Sequence, residues 1–283
     1  MTDSIEKGRE FQFTDRDFEK ICKMLYDQVG ISLNPSKREM VYSRLARRLR
    51  ANSVNTFSAY LALLEKKDHA EWEAFINSLT TNLTAFFREP HHFPILAEHV
   101  GKIKGRPVTL WCAASSTGEE AYSMAITMAE LYGTLNPPVK ILASDVDTSV
   151  LEKARKAVYS LAQVEKMPES RLKKYFIKGT GSNEGMVRVK PELCDMITFR
   201  QINLLDDNWS IRGPIDAIFC RNVMIYFDKP TQLQILQKFV PLLRADGLLF
   251  AGHSESFHHA SQYFRLRGKT VYELSRASHG SKL

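Results

Sequence analysis

The segment Ile215 to Phe227 reads IDAIFCRNVMIYF: the apolar run Ile215 to Phe219 halts at the polar trio Cys220, Arg221 and Asn222, and an apolar stretch carrying Tyr226 follows. A short apolar run of this kind marks a strand buried on both faces, and such strands belong to parallel sheets covered by helices. In open α/β sheets the ligand lies in the crevice beyond the carboxyl ends of the strands. Polar residues at that point are placed for recognition rather than for packing.

From Val108 onward the chain alternates in the same sense. Strands are expected at Val108 to Ala113, Val139 to Ala143, Ile197 to Arg200, Ile215 to Phe219 and Gly247 to Gly252. Helices are expected at Gly118 to Tyr132, Ser149 to Ala157 and Thr231 to Leu243. This alternation predicts an α/β fold with a doubly wound, mostly parallel sheet. Phe264 to Arg267 and Thr270 to Leu274, joined through Gly268, predict a terminal antiparallel hairpin. A hairpin closing a parallel sheet resembles the Rossmann-like class I methyltransferase fold more than the dehydrogenase fold. The first 80 residues are instead helical in pattern, with a stripe of Phe18, Ile21, Cys22, Leu25 and Val29 behind the capping Thr14, and further stripes on Phe57 to Leu64 and Trp72 to Leu79. The expected organisation is an all-α N-terminal domain over 1–79, a linker over 80–94, and an α/β domain over 95–283 with a small β-insertion at about 171–192.

At 283 residues the chain can bury a full core in each part. Cys22, Cys112, Cys194 and Cys220 form no CxxC pair, which argues against a disulfide framework or a zinc knuckle. No segment approaches the roughly 20 apolar residues that span a bilayer, so direct membrane insertion is not expected and a cytoplasmic protein is. The formal charge of +7 selects no partner class by itself. Its distribution says more, because a helix expected at Ser36 to Arg50 sets Val41, Tyr42, Leu45, Ala46 and Leu49 on one arc and Lys37, Arg44, Arg47, Arg48 and Arg50 on the rest. With only Glu39 among them, these cations call for an anionic partner such as an acidic helix, a phosphate backbone or a membrane surface, unless they are simply solvated.

The turn after the first strand, Ala114 to Glu120, holds one glycine where a dinucleotide site would have G-x-G-x-x-G, so a diphosphate is not expected. Glu119 stands where a phosphate would go and suits an ammonium group, which S-adenosylmethionine has. Asp145, about 27 residues after Gly118, ends the second strand near the position of an acid that holds ribose hydroxyls, and Asp147 is the better candidate for capping the next helix. Asn136, Pro137, Pro138 and Val139 only approximate the signature of nucleic-acid amino methyltransferases: the fourth residue is not aromatic and the motif precedes the second strand. A nucleic-acid partner is not expected. The pairs His91–His92 and His258–His259 have no carboxylate at the spacing of a known site, and no metal is expected.

The stretches NLTAFFREPHHF (Asn82 to Phe93), ASSTGEEAYS (Ala114 to Ser123), ASDVD (Ala143 to Asp147), IFCRNVMIYF (Ile218 to Phe227) and LLFAGHSESF (Leu248 to Phe257) together resemble the bacterial chemotaxis receptor methyltransferases, the CheR family. The resemblance runs in order from about Phe18 to Leu274. It implies S-adenosylmethionine as cofactor, S-adenosylhomocysteine as product, and glutamate side chains on chemoreceptor signalling helices as substrate. Carried over to this sequence, it implies that Asn82, Thr84 and Arg88 close over the cofactor, that Glu119 binds its ammonium and Asp145 its ribose, that Asn203 and Leu204 lie at the adenine, and that Arg221 and Asn222 line the same pocket. Arg88 and Tyr226 are expected near the transferring methyl, with a core aromatic as the alternative for Tyr226.

Two surfaces are candidates for the receptor. The basic helix, through Arg44, Arg47, Arg48 and Arg50, fits an acidic coiled coil. Lys178 to Val189, with Gly179, Gly181 and Gly185 before Arg188, reads as a glycine-rich hairpin with an exposed edge. In the family this element can take a receptor's C-terminal peptide as an added strand, its carboxylate meeting a basic residue. A monomer recruited to membrane receptor arrays is the implied working state.

Overall fold

The computed structural model describes residues 9–66 and 69–275. These fall into two compact units that part between Thr81 and Asn82, and Tyr226–Asp228 group with the first. The residues expected as a linker from 82 onward therefore belong to the second unit.

In the first unit, helix α1 (Asp15–Val29) begins at a capping box, in which Thr14 and Asp17 satisfy each other's backbone N–H groups, and ends at Gly30 in the left-handed region. A 3-10 turn over Pro35–Lys37, capped by Asn34, precedes α2 (Arg38–Ala51), so the basic helix starts later than the expected Ser36. Helices α3 (Phe57–Glu65) and α4 (His69–Leu79) follow. Their apolar stripes meet in a core of Ile21, Leu25, Val41, Leu45, Leu49, Tyr60, Leu64 and Phe75, each fully or almost fully buried. None of the described helices is long and apolar enough to cross a membrane.

The second unit opens with α5 (His92–Gly101) and is built on the strands β1 (Val108–Cys112), β2 (Val139–Asp145), β6 (Ile197–Gln201), β7 (Ile215–Phe219), β8 (Leu243–Phe250), β9 (Phe264–Gly268) and β10 (Val271–Leu274). They form one sheet in the order β6-β2-β1-β7-β8-β10-β9. The pairs from β6 to β8 are parallel and β10 is antiparallel to both its neighbours, which is the expected parallel sheet with a closing hairpin. Helices α6 (Glu119–Tyr132) and α7 (Thr148–Lys156) follow β1 and β2. Strand β7 is buried along its whole length. The run nonetheless contains a charge: Asp216, 1% exposed, pairs with Arg106 and Arg244 and accepts the Thr109 N–H.

Two boundaries differ from expectation. The helix expected at Thr231 to Leu243 spans Lys229–Phe239, and Leu243 already pairs with Ile215 as the first residue of β8. Pro241 is the reason, since it lacks an N–H and disfavours helical geometry at Val240. The β-insertion is wider than 171–192, because its sheet runs β3-β5-β4 and recruits β3 (Val158–Ser160) to β5 (Met186–Val189) and β4 (Phe176–Lys178). Three residues were too few for a period to show in β3 or β4.

Candidate active site

The strand order of the large sheet reverses at β1: the chain steps outward from it to β2 and β6 on one side, then returns to its other side with β7 and β8. The crevice at this switch is where an open α/β sheet binds its ligand. Ser115 and Ser144 tie the turn after β1 to β2 through a 2.8 Å backbone bond. Gly118 then adopts φ +99°, and a Cβ there would lie 2.9 Å from the Tyr159 hydroxyl and 3.0 Å from Ala154 Cβ. That close approach aims the start of α6 at the crevice.

Glu119, the first residue of α6, is 3% exposed. Its carboxylate accepts Thr117 Oγ1–H at 2.6 Å and Gln163 Nε2–H at 3.2 Å. Burial raises its pKa above the ordinary value, and the Thr117 and Gln163 bonds offset this only in part. A buried carboxylate served by neutral donors is suited to a cationic ligand group. Asp145, at the end of β2, accepts the N–H groups of Ser116 (2.8 Å) and Asp147 (3.0 Å), and burial pushes it to about 6. Asp147 is the N-cap of α7, accepting from Ser149 and Val150, so Asp145 has no capping duty. Ile202, just past β6, donates to the Asp145 carbonyl and brings Asn203 and the buried Leu204 alongside. The Asn203 amide oxygen accepts Leu205 N–H and its carbonyl accepts Trp209 Nε1–H, which fixes this turn.

The 82–94 segment closes the same group of elements. Asn82 Nδ2 donates to Asp147 at 2.8 Å, and Ser116 Oγ donates to the Asn82 carbonyl at 3.0 Å. Phe87 and Glu89 hold positive φ on either side of Arg88, which is half-buried with Nη1 donating to the Leu83 carbonyl. Thr84 lies half-buried in the same segment. Asn82, Glu119, Asp145 and Asn203 are thus brought together.

Arg221 makes its contacts inside the protein. Its side chain is wholly buried, with Nη1 2.9 Å from Glu120, Nη2 3.3 Å from Glu89, and Nη2 also donating to the Arg88 carbonyl at 2.5 Å. These contacts anchor the Arg88–Glu89 turn, while Nε and Nη1 have no hydrogen-bond partner among the described residues. Asn222, at φ +58°, donates its N–H to Glu255 and Nδ2–H to Glu89 Oε1 at 3.3 Å. Gly252 makes room for it, since a Cβ there would fall 2.3 Å from Asn222 Nδ2. Tyr226 groups with the helical unit, and its carbonyl accepts the Ser32 N–H.

The sequence reading passed over Glu89, Glu120, Glu255 and His253. Burial raises the pKa of Glu120 and of Glu255. Burial opposes ionisation of Glu89 too, but hydrogen bonds from His253 and the Arg221 charge outweigh it and bring Glu89 to about 2. Single polar residues carry no period, and only their place inside the quoted motifs could have flagged them. The fold also supplies the carboxylate that the histidine pair lacked, because Glu89, His91 and His92 bring ligand atoms within 4.8 Å of one another. Glu89 Oε1 is hydrogen-bonded by Asn222 and His253, Oε2 lies 3.3 Å from Arg221, and His92 Nε2 meets the Lys269 carbonyl at 2.9 Å, while His92 Nδ1 lies 3.7 Å from Glu89 Oε2 without a hydrogen bond.

The basic helix is less open than its sequence implies. Arg44 donates to the Ser78 and Thr80 carbonyls, Arg48 is paired with the buried Glu71, and Arg50 is paired with Glu10. Arg47 is exposed and has no polar partner among the described residues. In the insertion, Gly179 is obligatory because a Cβ would lie 2.1 Å from the Asn183 carbonyl, and Gly181 and Gly185 hold positive φ. Arg188 lies on the central strand β5, paired across to Val158 and Ile177, so the sheet edges are β3 and β4 and Arg188 is not on them.

A family model described as "CheR methyltransferase, SAM binding domain" matches residues 82–273, and one described as "CheR methyltransferase, all-alpha domain" matches residues 16–80. The chain is 52% identical to a chemotaxis protein methyltransferase of Salmonella typhimurium, over 98% of this chain and 99% of that one. It is 53% identical to its counterpart in Escherichia coli, over 96% and 95% of the two chains. Chemotaxis protein methyltransferase 2 of Pseudomonas aeruginosa is 54% identical, over 94% and 95%.

Proposed function

The chain belongs to the CheR methyltransferase family and is an S-adenosylmethionine-dependent enzyme, and from that premise we propose that it methylates glutamate side chains on the cytoplasmic signalling helices of membrane chemoreceptors. The observation that supports the cofactor reading most is the pair of buried carboxylates, Glu119 at the start of α6 and Asp145 at the end of β2, beside a turn with a single glycine. Glu119 holds the amino-acid ammonium, Asp145 the ribose hydroxyls, Asn203 and Leu204 the adenine edge, and Asn82 and Thr84 close the segment over the ligand. Asn222 and the backbone at Arg221 complete the wall.

When bound, S-adenosylmethionine supplies a methyl group on a sulfonium leaving group. The acceptor carboxylate, with an ordinary pKa of about 4.3, is already a nucleophile at neutral pH, so no general base is required. The enzyme's task is to strip water from that carboxylate and aim it at the methyl carbon. Arg88 and Tyr226 carry this role by hydrogen-bonding the acceptor transiently, since a tight arginine pair would quench its nucleophilicity. Receptor binding falls to the cations of α2, the exposed Arg47 above all, with Arg44, Arg48 and Arg50 behind it, and weakens as salt rises. The glycine-rich insertion with Arg188 tethers a receptor C-terminal peptide and raises local enzyme concentration. The enzyme works as a cytoplasmic monomer recruited to receptor arrays.

Incubation with receptor cytoplasmic fragments and peptide mapping by mass spectrometry tests this reading. Added methyl groups confined to glutamates support it, and methyl groups on lysine or arginine nitrogen overturn it. Unchanged turnover in Arg88→Ala or Tyr226→Phe removes the corresponding residue from the mechanism.

A further inference from the structure

His253 is the residue that the established family chemistry leaves without a task. It follows β8 by three residues, its side chain is 69% exposed, and its Nδ1 lies 3.0 Å from Glu89 Oε1. The same oxygen also takes the His253 backbone N–H at 3.2 Å and Asn222 Nδ2–H at 3.3 Å. Glu89 in turn is held as an anion by its hydrogen bonds from His253 and by Arg221, which sits 3.3 Å from its other oxygen. An exposed ring oriented by a half-buried, ionised carboxylate is an arrangement that solvation alone does not require, because a surface imidazole satisfies both nitrogens with water. With Nδ1–H given to Glu89, Nε2 is the only polar atom of the ring left to meet an incoming group.

We propose that His253 is a substrate-contacting residue which, as an imidazolium with Nδ1–H given to the Glu89 carboxylate, donates Nε2–H to one oxygen of the acceptor carboxylate, and that Glu89 is the positioning residue that fixes the ring for this contact. The inference rests on the glutamate-acceptor reading above. Three features on the same few residues support it. Glu89 follows Arg88 directly, so the turn that carries the expected methyl-site arginine also orients the imidazole. Asn222, from the wall of the cofactor crevice, shares the Glu89 oxygen with His253. Gly252 leaves no side chain between His253 and Asn222, and any Cβ there would displace Asn222. The contact is made only to the acceptor, so it governs receptor affinity and leaves cofactor affinity alone.

The test compares wild type, His253→Ala, His253→Gln and Glu89→Gln by S-adenosylhomocysteine calorimetry and by receptor-fragment methylation kinetics. For His253→Ala, the receptor KM rises at least tenfold, the S-adenosylhomocysteine Kd stays within twofold, and the melting temperature is unchanged. Gln, whose amide can reach toward the Nε2 position, restores part of the KM, and Glu89→Gln gives an intermediate KM. A receptor KM within twofold of wild type in His253→Ala overturns the proposal, as does a parallel loss of S-adenosylhomocysteine affinity. Failure of the wild-type enzyme to methylate the fragment would instead strike at the glutamate-acceptor reading.

Discussion

Arg48→Ala separates stability from receptor recognition. Glu71 is 5% exposed, and its carboxylate accepts Arg48 Nε–H at 3.0 Å, Arg48 Nη2–H at 2.5 Å and the Tyr60 hydroxyl at 2.6 Å. Removing Arg48 leaves a buried carboxylate with neutral donors alone, Tyr60 and Asn52. Breaking a buried ion pair from one side costs about 3–5 kcal/mol. Arg48 keeps 27% side-chain exposure and the neutral donors remain, so the structure points below that scale, to about 2–3 kcal/mol. For a protein of this size that lowers the melting temperature by roughly 5–10 °C. Arg47→Ala, at an exposed position, changes stability by less than about 0.5 kcal/mol while still lowering the receptor methylation rate. The assay is thermal unfolding followed by helical circular dichroism, run beside receptor methylation. The Arg48 bonds hold the Glu71 pKa below its ordinary 4.5 even though burial raises it. A depressed carboxylate contributes stability above its unfolded pKa and loses it as pH falls through the folded one, so the gap between Arg48→Ala and wild type narrows below pH 4.5. An Arg48→Ala melting point within 1 °C of wild type at pH 7.5 would refute the assignment of Arg48 to internal support.

Other consequences follow from the site. Burial raises Asp145 to about 6, so its stabilising contribution is complete at low pH and is lost as pH rises through that value. Ligand binding runs the other way, because the ionised carboxylate is the form that accepts both ribose hydroxyls: S-adenosylhomocysteine affinity falls as pH drops through 6 in wild type and is flat and weak in Asp145→Asn, as calorimetry across pH 5 to 8 will read. Glu119→Gln removes the charge facing the ligand ammonium and weakens cofactor binding by about 1.5–3 kcal/mol, one to two decades in Kd. Gly252→Ala forces Asn222 from its place and lowers turnover at least tenfold with little change in receptor binding, which a kcat against KM comparison will show.

The sequence made the large sheet legible because its strands carry long apolar runs separated by helices of clear period, and β7 appears at the residues expected for it. Thr14 and Asp147 announced their capping roles through chemistry that acts over three residues. What escaped notice depends on contacts distant in sequence. Arg221 sits in a polar trio at a strand end and looks like a ligand group, yet Glu89 and Glu120 approach it from elsewhere in the chain and enclose it. The arginines of α2 likewise looked unpaired because Glu71 and Glu10 lie well away in sequence. Pro241 was a local signal that should have ended its helix sooner, and the apolar Leu242 and Leu243 concealed it.

The most direct test of the central claim is transfer of labelled methyl from S-adenosylmethionine to membranes carrying chemoreceptors from the same organism, followed by mild alkali. A glutamate methyl ester releases its label as methanol, and that is the result expected here. Label that resists alkali would place the methyl on nitrogen or another acceptor and contradict the account.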